Sequence, residues 1–270
     1  MIHITDSPHP PGTIILAAGV QPRFYEFQMS LDALQAPTGT KLSVQRSCDI
    51  TSNFNNGLKT MTGEWAWFLA DDHTFAPEIL MHLLDKQVDV VVPITPCKVL
   101  PWMPCVMHGP DPGEAIWHED MLLYDWDELS GEGIMALPKG EFIGQAGMLV
   151  RKPVLDKIGY PWFKCGQLDP GRLQEDMKFC HDIQSLGYTI WVDQDIIFDH
   201  YFIIGVSARR HNGKWVPALV SGKNVMVLPD AKPKWNRTPS NKENIKALWA
   251  RLPDKEAYER VIKDAGGETA

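Results

Sequence analysis

The first third of the chain consists of short apolar runs that alternate with amphipathic segments. Four apolar runs predict buried strands, at 13–18, 42–46, 65–70 and 88–94. Between them, apolar residues at helical spacing predict helices at 24–34, 53–61 and 77–84. This alternation predicts an α/β fold with an open, mostly parallel sheet and helices on both of its faces.

The rest of the chain is less regular. Residues 95–140 are rich in Pro, Gly, Trp and Met, which indicates irregular structure with a hairpin. Beyond them the pattern predicts, in chain order, a strand at 141–151, a helix at 153–158, a loop at 163–173, a helix at 175–186 and short strands at 189–192 and 196–198. We expect one domain over residues 1–229, followed by a linker and a C-terminal helical tail over 230–270.

Charge and cysteine content limit the binding partners and the cellular compartment that we expect. The chain of 270 residues has 34 acidic residues against 26 Lys and Arg, and no basic run stands out, so we expect no nucleic-acid partner. Its five cysteines are scattered without a CxxC pair, which predicts reduced thiols and a cytoplasmic protein. The pattern contains no signal peptide and no transmembrane segment, while a peripheral membrane contact stays open.

Polar residues gather where three of the predicted strands end. Gly19, Arg46 and the pair Asp71-Asp72 each follow the carboxyl end of a strand. In open α/β sheets, ligands bind beyond this edge. The three strand ends therefore indicate one shared ligand site.

The segment Asp71-Asp72-His73 is the first candidate for chemistry. Carboxylates at the end of a core strand are costly unless their charge is compensated. A Mn²⁺ or Mg²⁺ ion would compensate it and would leave coordination positions for phosphate oxygens. Because neighbouring residues of a strand point to opposite faces, one acid is expected to reach the ion and the other to bind a ribose hydroxyl or brace the turn. The alternative is that Asp72 or Thr74 caps the following helix.

Asp176 and His200 are the other candidates. Asp176 shares one stripe of its helix with Cys180 and Ile183, so its carboxylate turns toward the apolar side, beside a loop, where it could act as a general base. The alternative is that Glu175 and Asp176 only favour the helix N-terminal dipole. His200 follows a short strand and is either a metal ligand or a hydrogen-bonded core histidine.

Taken together, four segments resemble the GT-A glycosyltransferases of the family 2-like type. They are residues 46–58 (RSCDITSNFNNGL), 63–73 (GEWAWFLADDH), 144–151 (GQAGMLVR), and the pair Glu175-Asp176 with Gly187-Tyr188 after it. The second is similar to the segment that carries the Asp-x-Asp motif of these enzymes. The resemblance covers about residues 13–205, and it implies a GT-A-type sheet with a nucleotide-binding half at 13–94 and an acceptor half at 95–229.

The resemblance also implies a reaction. The enzyme would transfer a sugar from a UDP- or GDP-linked donor to an acceptor hydroxyl, with a Mn²⁺ or Mg²⁺ ion held by Asp72 and His200. The residues implied for the nucleotide are Ala17, Gly19, Arg46, Asn53, Asn56 and Asp71. Asp176 would take the proton of the acceptor hydroxyl, which gives inversion, and a retaining mechanism stays open. The chain lacks the Gln-x-x-Arg-Trp motif of processive synthases, so single transfer is expected.

Ala70 departs from the family pattern. It stands where the family often has the first Asp of its triplet, so Asp72 becomes the preferred metal ligand. A second alignment takes residues 71–73 as the motif, with His73 in place of an acid. Two other functions stay open. The segment 16–19 (LAAG) resembles the opening of sugar nucleotidylyltransferases, and a non-catalytic carbohydrate-binding protein could keep the same fold.

Overall fold

The computed structural model describes residues 2–19, 24–47, 49–98, 102–109, 116–117, 122–168, 171–201, 205–221 and 224–227. Its helices within these ranges are α1 (Tyr25–Ala33), α2 (Ile50–Lys59), α3 (Ile79–Asp85), α4 (Lys152–Ile158) and α5 (Glu175–Ser185). Its strands are β1 (His3–Thr5), β2 (Thr13–Ala17), β3 (Gln35–Pro37), β4 (Lys41–Gln45), β5 (Trp65–Ala70), β6 (His73–Thr74), β7 (Val90–Ile94), β8 (Val106–Met107), β9 (Ile116–Trp117), β10 (Ile134–Ala136), β11 (Phe142–Ile143), β12 (Leu149–Arg151), β13 (Gly166–Leu168), β14 (Gly171–Leu173), β15 (Trp191–Ile197), β16 (Asp199–His200), β17 (Gly205–His211), β18 (Lys214–Ser221) and β19 (Asn224–Val227).

A seven-stranded sheet forms the centre of the fold, with the strand order β10-β15-β7-β12-β5-β2-β4. Strands β4, β2 and β5 are parallel to one another, and so are β7 and β15. Strand β12 runs antiparallel between β5 and β7, and β10 is antiparallel to β15 at the edge. Only β12 and β10 thus oppose the common direction, which confirms the predicted open, mostly parallel sheet.

Helices cover both faces of this sheet. Side chains of α2, α4 and α5 belong to the core on one face, and those of α1 and α3 belong to the core on the other. Because both faces are covered, the inner strands β2 and β7 are buried along their whole length and consist almost entirely of apolar residues. The predicted α/β fold class is confirmed.

The tryptophans of β5 illustrate how this core accommodates polar atoms. Trp65 and Trp67 are fully buried on the strand that leads to Asp71. The indole N–H of Trp65 donates to the carbonyl of Pro10 at 2.9 Å, and that of Trp67 donates to the carbonyl of Gly147 at 2.8 Å. Both rings therefore bury apolar surface without leaving a donor unpaired, which is the usual role of core tryptophans.

A second, antiparallel sheet lies at the carboxyl edge of the first, with the order β19-β18-β17-β16-β6. Strand β6 follows β5 after Asp71 and Asp72, and β16 follows β15 after Phe198. Strands β6 and β16 pair with each other, with His200 opposite His73. Two strands of the central sheet thus continue into one small sheet, and this brings two of the predicted site segments together.

Several predicted boundaries change. The helix predicted at 53–61 begins earlier, at Ile50, because the Asp49 side chain accepts a hydrogen bond from the Ser52 N–H at 2.7 Å and caps it. The single strand predicted at 141–151 is wrong, since β11 and β12 are separate strands. Gly147 lies between them with φ +79°, and a Cβ there would come within 2.7 Å of the Phe198 ring, so the turn requires glycine.

Two further predictions of local structure are corrected. The loop predicted at 163–173 contains β13 and β14, which pair as a hairpin. The two short strands predicted at 189–192 and 196–198 are one strand, β15, whose buried Asp193 interrupts the apolar pattern. The predicted linker and tail at 230–270 lie outside the described residues. Among the helices described, none has the length and hydrophobicity needed to cross a bilayer.

Candidate functional site

Asp72 is the centre of a cluster of polar side chains at the carboxyl edge of the central sheet. Its Oδ1 lies 2.8 Å from Nδ1 of His73, and its Oδ2 lies 3.6 Å from Nε2 of His200. The ammonium of Lys98 contacts the same Oδ2. The backbone carbonyl of Asp72 accepts a hydrogen bond from the Tyr201 N–H at 2.6 Å, which fixes the turn against the start of the β16–β17 connection.

The two histidines of this cluster are held by strand pairing. Their rings stack with centroids 4.0 Å apart and an angle of 19° between planes, because His73 and His200 are opposite each other in β6 and β16. Nδ1 of His200 lies 2.7 Å from the carbonyl oxygen of Pro96. A carbonyl only accepts, so Nδ1 carries a proton and donates, and Nε2 is the ring nitrogen that faces Asp72. This arrangement is common for a metal-binding histidine.

The charges in the cluster follow from its burial. Burial raises the pKa of Asp72, but the contacts of its carboxylate with His200 and His73 outweigh this, and the pKa lies well below its usual range. Burial, together with the nearby His200, lowers the pKa of His73 to about 4. At neutral pH the cluster therefore presents one ionised carboxylate beside a neutral, buried imidazole.

The polar atoms of this cluster fit a metal ion. Within the described residues, neither ring nitrogen of His73 has a hydrogen-bond partner, and neither has Oδ1 of Asp72, although this oxygen and Nδ1 of His73 are close in space. Oδ1 of Asp72 and Nδ1 of His73 lie 2.8 Å apart, which is close enough for both to be ligands of one ion. One ligand atom from each of Asp72, His73 and His200 lies within 4.8 Å of the others. These three residues would hold a single divalent ion, because carboxylate oxygen and imidazole nitrogen are both ligands of such ions.

Asp71 connects the cluster to the end of β2. Its Oδ2 accepts a hydrogen bond from the Gly19 N–H at 2.9 Å. The two strands are in register here, since Ala17 is paired with Ala70. Three residues predicted to bind the nucleotide, namely Ala17, Gly19 and Asp71, are therefore neighbours beside Asp72. The two acids have different contacts, as expected for neighbours at a strand end.

The remaining nucleotide-binding predictions lie around the end of β4. Arg46 is exposed directly after this strand. Asn53 is buried in α2, and its side-chain oxygen accepts a hydrogen bond from the Ser47 N–H at 2.6 Å. Asn53 thus orders the backbone beside Arg46, while Asn56 is exposed on the same helix. Asn55, which the sequence did not single out, is buried and holds the backbone of Phe163 with two hydrogen bonds of 2.7 and 3.1 Å.

Asp176 lies in the first turn of α5, half-buried. One of its oxygens is 2.7 Å from the Met177 N–H, which donates to it, so the favourable interaction with the helix N-terminus is present. Its charge also contributes to the raised pKa of the Cys105 thiol, after the contact with Cys97 and burial. Cys97 lies between Pro96 and Lys98, the two residues that contact His200 and Asp72. The N–H of Cys105 donates to the carbonyl of Thr95 at 2.7 Å, so this cysteine lies beside the segment 95–98.

Lys98 is the residue that sequence reasoning missed. It lies just beyond β7, the fourth of the predicted strands, and contacts Asp72. The rule that ligands bind beyond carboxyl strand ends applied to this strand as well, so the first charged residue after it was a signal. His73 entered only through the second alignment of the motif, and its burial shows that it belongs to the cluster.

A second group of potential ligand atoms consists of His82, Asp193 and Asp195. Its charges are already compensated. Asp193 lies 2.9 Å from Nε2 of His82 and 3.4 Å from the ammonium of Lys86, which is also 3.6 Å from Asp195. Asp195 further accepts a hydrogen bond from the Gly133 N–H at 3.0 Å. This group stabilises the attachment of α3 and β10 to β15.

Comparisons with known proteins give structural neighbours only. No family model matches the chain, and no curated protein matches its sequence. Among solved structures, A197 from STIV is similar at 11% identity and a TM-score of 0.40, over 83% of this chain and 97% of that one. TarS 1–349 from S. aureus is similar at 13% identity and a TM-score of 0.36, over 69% of this chain and 59% of that one. GalNAc-T7, crystallised with UDP, GalNAc and Mn²⁺, is similar at 10% identity and a TM-score of 0.40, over 96% of this chain and 56% of that one.

Proposed function

We propose that this protein is a GT-A-type glycosyltransferase that moves a sugar from a nucleotide-diphosphate donor to an acceptor hydroxyl. The observation that carries the proposal is the meeting of Asp72, His73 and His200 at the carboxyl edge of the sheet, with a buried His73 ring whose nitrogens have no hydrogen-bond partner in the described residues. Ligands of open α/β sheets bind at this edge. The four sequence segments that resemble the family support the same reading.

The chain's own residues would hold a divalent ion here. Asp72 supplies the charged oxygen, and Nε2 of His200 is oriented by the hydrogen bond from Nδ1 to Pro96. His73 is the third candidate ligand. When bound, the ion supplies a positive charge that stabilises the leaving diphosphate. Of the two ions expected, a set with two imidazoles favours Mn²⁺, because Mg²⁺ takes almost only oxygen ligands.

The nucleotide would lie across the ends of β2 and β4. Asp71 orders the backbone at Gly19 through the hydrogen bond from its N–H, and Ala17 adds no side chain beyond a methyl group at this point. Arg46 is exposed and offers a guanidinium to phosphate or ribose oxygens. Asn53 keeps the backbone beside Arg46 in place, and Asn56 is exposed on the same helix as Asn53.

Asp176 would act as the general base. Its carboxylate is half-buried in the first turn of α5. Asp176 would take the proton of the acceptor hydroxyl while the hydroxyl oxygen attacks the anomeric carbon from the face opposite the diphosphate. The bond between the anomeric carbon and the diphosphate breaks in this step, so the anomeric centre is inverted. We propose a single transfer, with the acceptor bound by the half of the domain at 95–229.

A panel of UDP- and GDP-linked sugars tests this proposal, with release of nucleoside diphosphate as the readout. The wild-type protein should release the diphosphate with Mn²⁺ and not with a chelator present, and Asp72→Asn should abolish release. Asp156→Asn is the matched control, since Asp156 is exposed in a surface ion pair with Lys152. Undiminished release by Asp72→Asn would refute the assignment. Release of pyrophosphate from a nucleoside triphosphate and a sugar phosphate would indicate a nucleotidylyltransferase instead.

A further inference from the structure

Lys98 lies where a metal ion and the carboxylate of Asp72 would meet. Its ammonium contacts Oδ2 of Asp72, the oxygen that lies 3.6 Å from Nε2 of His200. An ion shared by Asp72 and His200 would use this same oxygen as a ligand. The ammonium and the ion are both cations, and they cannot share one carboxylate oxygen at close range without repulsion. We propose that Lys98 is a tethered cation that competes with the divalent ion for Asp72 and moves to the diphosphate of the donor when the ion binds.

The ammonium satisfies the cluster only in part. It compensates the charge of Asp72, yet Oδ1 of Asp72 and both ring nitrogens of His73 still have no hydrogen-bond partner within the described residues. A divalent ion brings one more positive charge and reaches nitrogen ligands, whereas an ammonium only donates hydrogen bonds. The contact with Lys98 is therefore a resting arrangement that the ion can replace, at the cost of the Lys98–Asp72 interaction.

Lys98 is free to move without disturbing the core. Its side chain is 39% exposed, and it lies beyond the end of β7, outside the sheet. A lysine is a compact charge on a flexible stem, so it can leave Asp72 and contact a phosphate oxygen nearby. This step rests on the proposed function, because the donor diphosphate would bring the negative charge that the displaced ammonium then binds.

The exchange couples the two ligands. The ion alone must displace Lys98 without compensation, so it binds weakly. When a nucleoside diphosphate is present, the displaced ammonium regains a negative partner, and the ion binds more tightly. Reciprocally, the ion frees Lys98 for the diphosphate. Lys98 is thus a positioning residue that makes metal and donor bind together.

Mn²⁺ affinity measured by calorimetry, with and without UDP or GDP, tests this inference in the wild type and in Lys98→Met. We expect Lys98→Met to bind Mn²⁺ alone about tenfold more tightly than the wild type, and to lose most of the gain in Mn²⁺ affinity that the nucleotide produces. Lys98→Arg keeps the positive charge and should retain the weak binding of Mn²⁺ alone. Lys152→Met, which removes the lysine of an exposed ion pair, should behave like the wild type.

Equal or weaker Mn²⁺ binding by Lys98→Met would overturn the inference, and so would an absence of Mn²⁺ binding in both proteins. The measurement of Mn²⁺ affinity does not depend on sugar transfer. Tighter Mn²⁺ binding by Lys98→Met without any turnover of nucleotide sugars would refute the proposed reaction and leave the competition at Asp72 standing. A thermal melt of each variant checks that the fold is kept, and a thermally intact Lys98→Met with wild-type Mn²⁺ affinity counts against the inference.

Discussion

The imidazole rings of His73 and His200 stack with their centroids 4.0 Å apart, because the two residues are opposite each other in a pair of two-residue strands.

 The two residues are 127 positions apart in the chain, and the pairing of β6 with β16 brings them into contact. Because each of these strands continues a strand of the central sheet, the stack fixes both histidines beside Asp72 at the carboxyl edge. The geometry of the candidate metal site therefore depends on where β5 and β15 leave the central sheet.

Replacement of His200 tests its role as a ligand. His200→Ala removes the nitrogen that faces Asp72, so we expect Mn²⁺ affinity to fall by tenfold or more, measured by calorimetry in the presence of UDP or GDP. His82→Ala is the matched control, since His82 also contacts a carboxylate, that of Asp193, in the other cluster. An unchanged Mn²⁺ affinity in His200→Ala would return this residue to the class of core histidines.

Asp71 should separate nucleotide binding from metal binding. Asp71→Ala removes the acceptor of the Gly19 N–H, so the end of β2 loses about 1 kcal/mol of support. We expect the affinity for UDP or GDP to fall about tenfold, while the affinity for Mn²⁺ alone changes little, because Asp72 and the histidines remain. Asp71→Asn keeps an acceptor oxygen, so its affinity for UDP or GDP should lie between those of the wild type and Asp71→Ala. A loss of Mn²⁺ binding in Asp71→Ala would instead identify Asp71 as a metal ligand.

Asp176→Asn tests the general base. The substitution keeps the size of the side chain and removes its capacity to take a proton, so kcat should fall by about 10²–10⁴ while donor affinity stays near that of the wild type. Glu175→Gln is the control, because Glu175 is in the same first turn of α5 and interacts with the same helix dipole. If the two variants keep equal activity, Asp176 only stabilises the helix.

Gly147 should be required for the turn that separates β11 from β12. Gly147→Ala places a Cβ 2.5 Å from the Pro93 ring and 2.7 Å from Phe198, in a backbone with φ +79°. Gly159→Ala is the control, since its φ is +71° and a Cβ there meets no atom within 4 Å. Urea unfolding should show a loss of about 1 kcal/mol for Gly159→Ala from backbone strain, and a loss larger by about 1–3 kcal/mol for Gly147→Ala. Equal losses would mean that the neighbours of Gly147 move aside.

The first half of the fold was predictable because its signals are local. The strands β2, β4, β5 and β7 are short runs that end at glycine or polar residues, and they appear within two residues of their predicted positions. Strand β15 was predicted as two pieces, because Asp193 and Asp195 interrupt its apolar pattern. Their charges are compensated by His82 and Lys86, which come from a distant helix. A partner so far away in the chain leaves no trace in the local pattern.

The sequence predicted the types of residue in the candidate site, but only some of the contacts between them. The motif indicated Asp72 and His200, and the structure places them together. It did not indicate that Lys98 contacts Asp72, because this depends on how the irregular segment after β7 folds back over the edge of the sheet. Nor did it indicate that Asn53 binds the backbone of Ser47. Such roles depend on hydrogen bonds between side chain and backbone, which residue type alone does not specify.

Mn²⁺-dependent binding of UDP and GDP to Asp72→Asn, compared with the wild type and with Asp156→Asn, tests whether Asp72 holds a metal ion beside the nucleotide. Asparagine keeps the shape of the side chain and removes the charge that an ion would neutralise at the end of β5. We expect the wild type and Asp156→Asn to bind the nucleotide more tightly with Mn²⁺ than without it, and Asp72→Asn to show no such gain. An equal gain in all three proteins would contradict a metal site at Asp72.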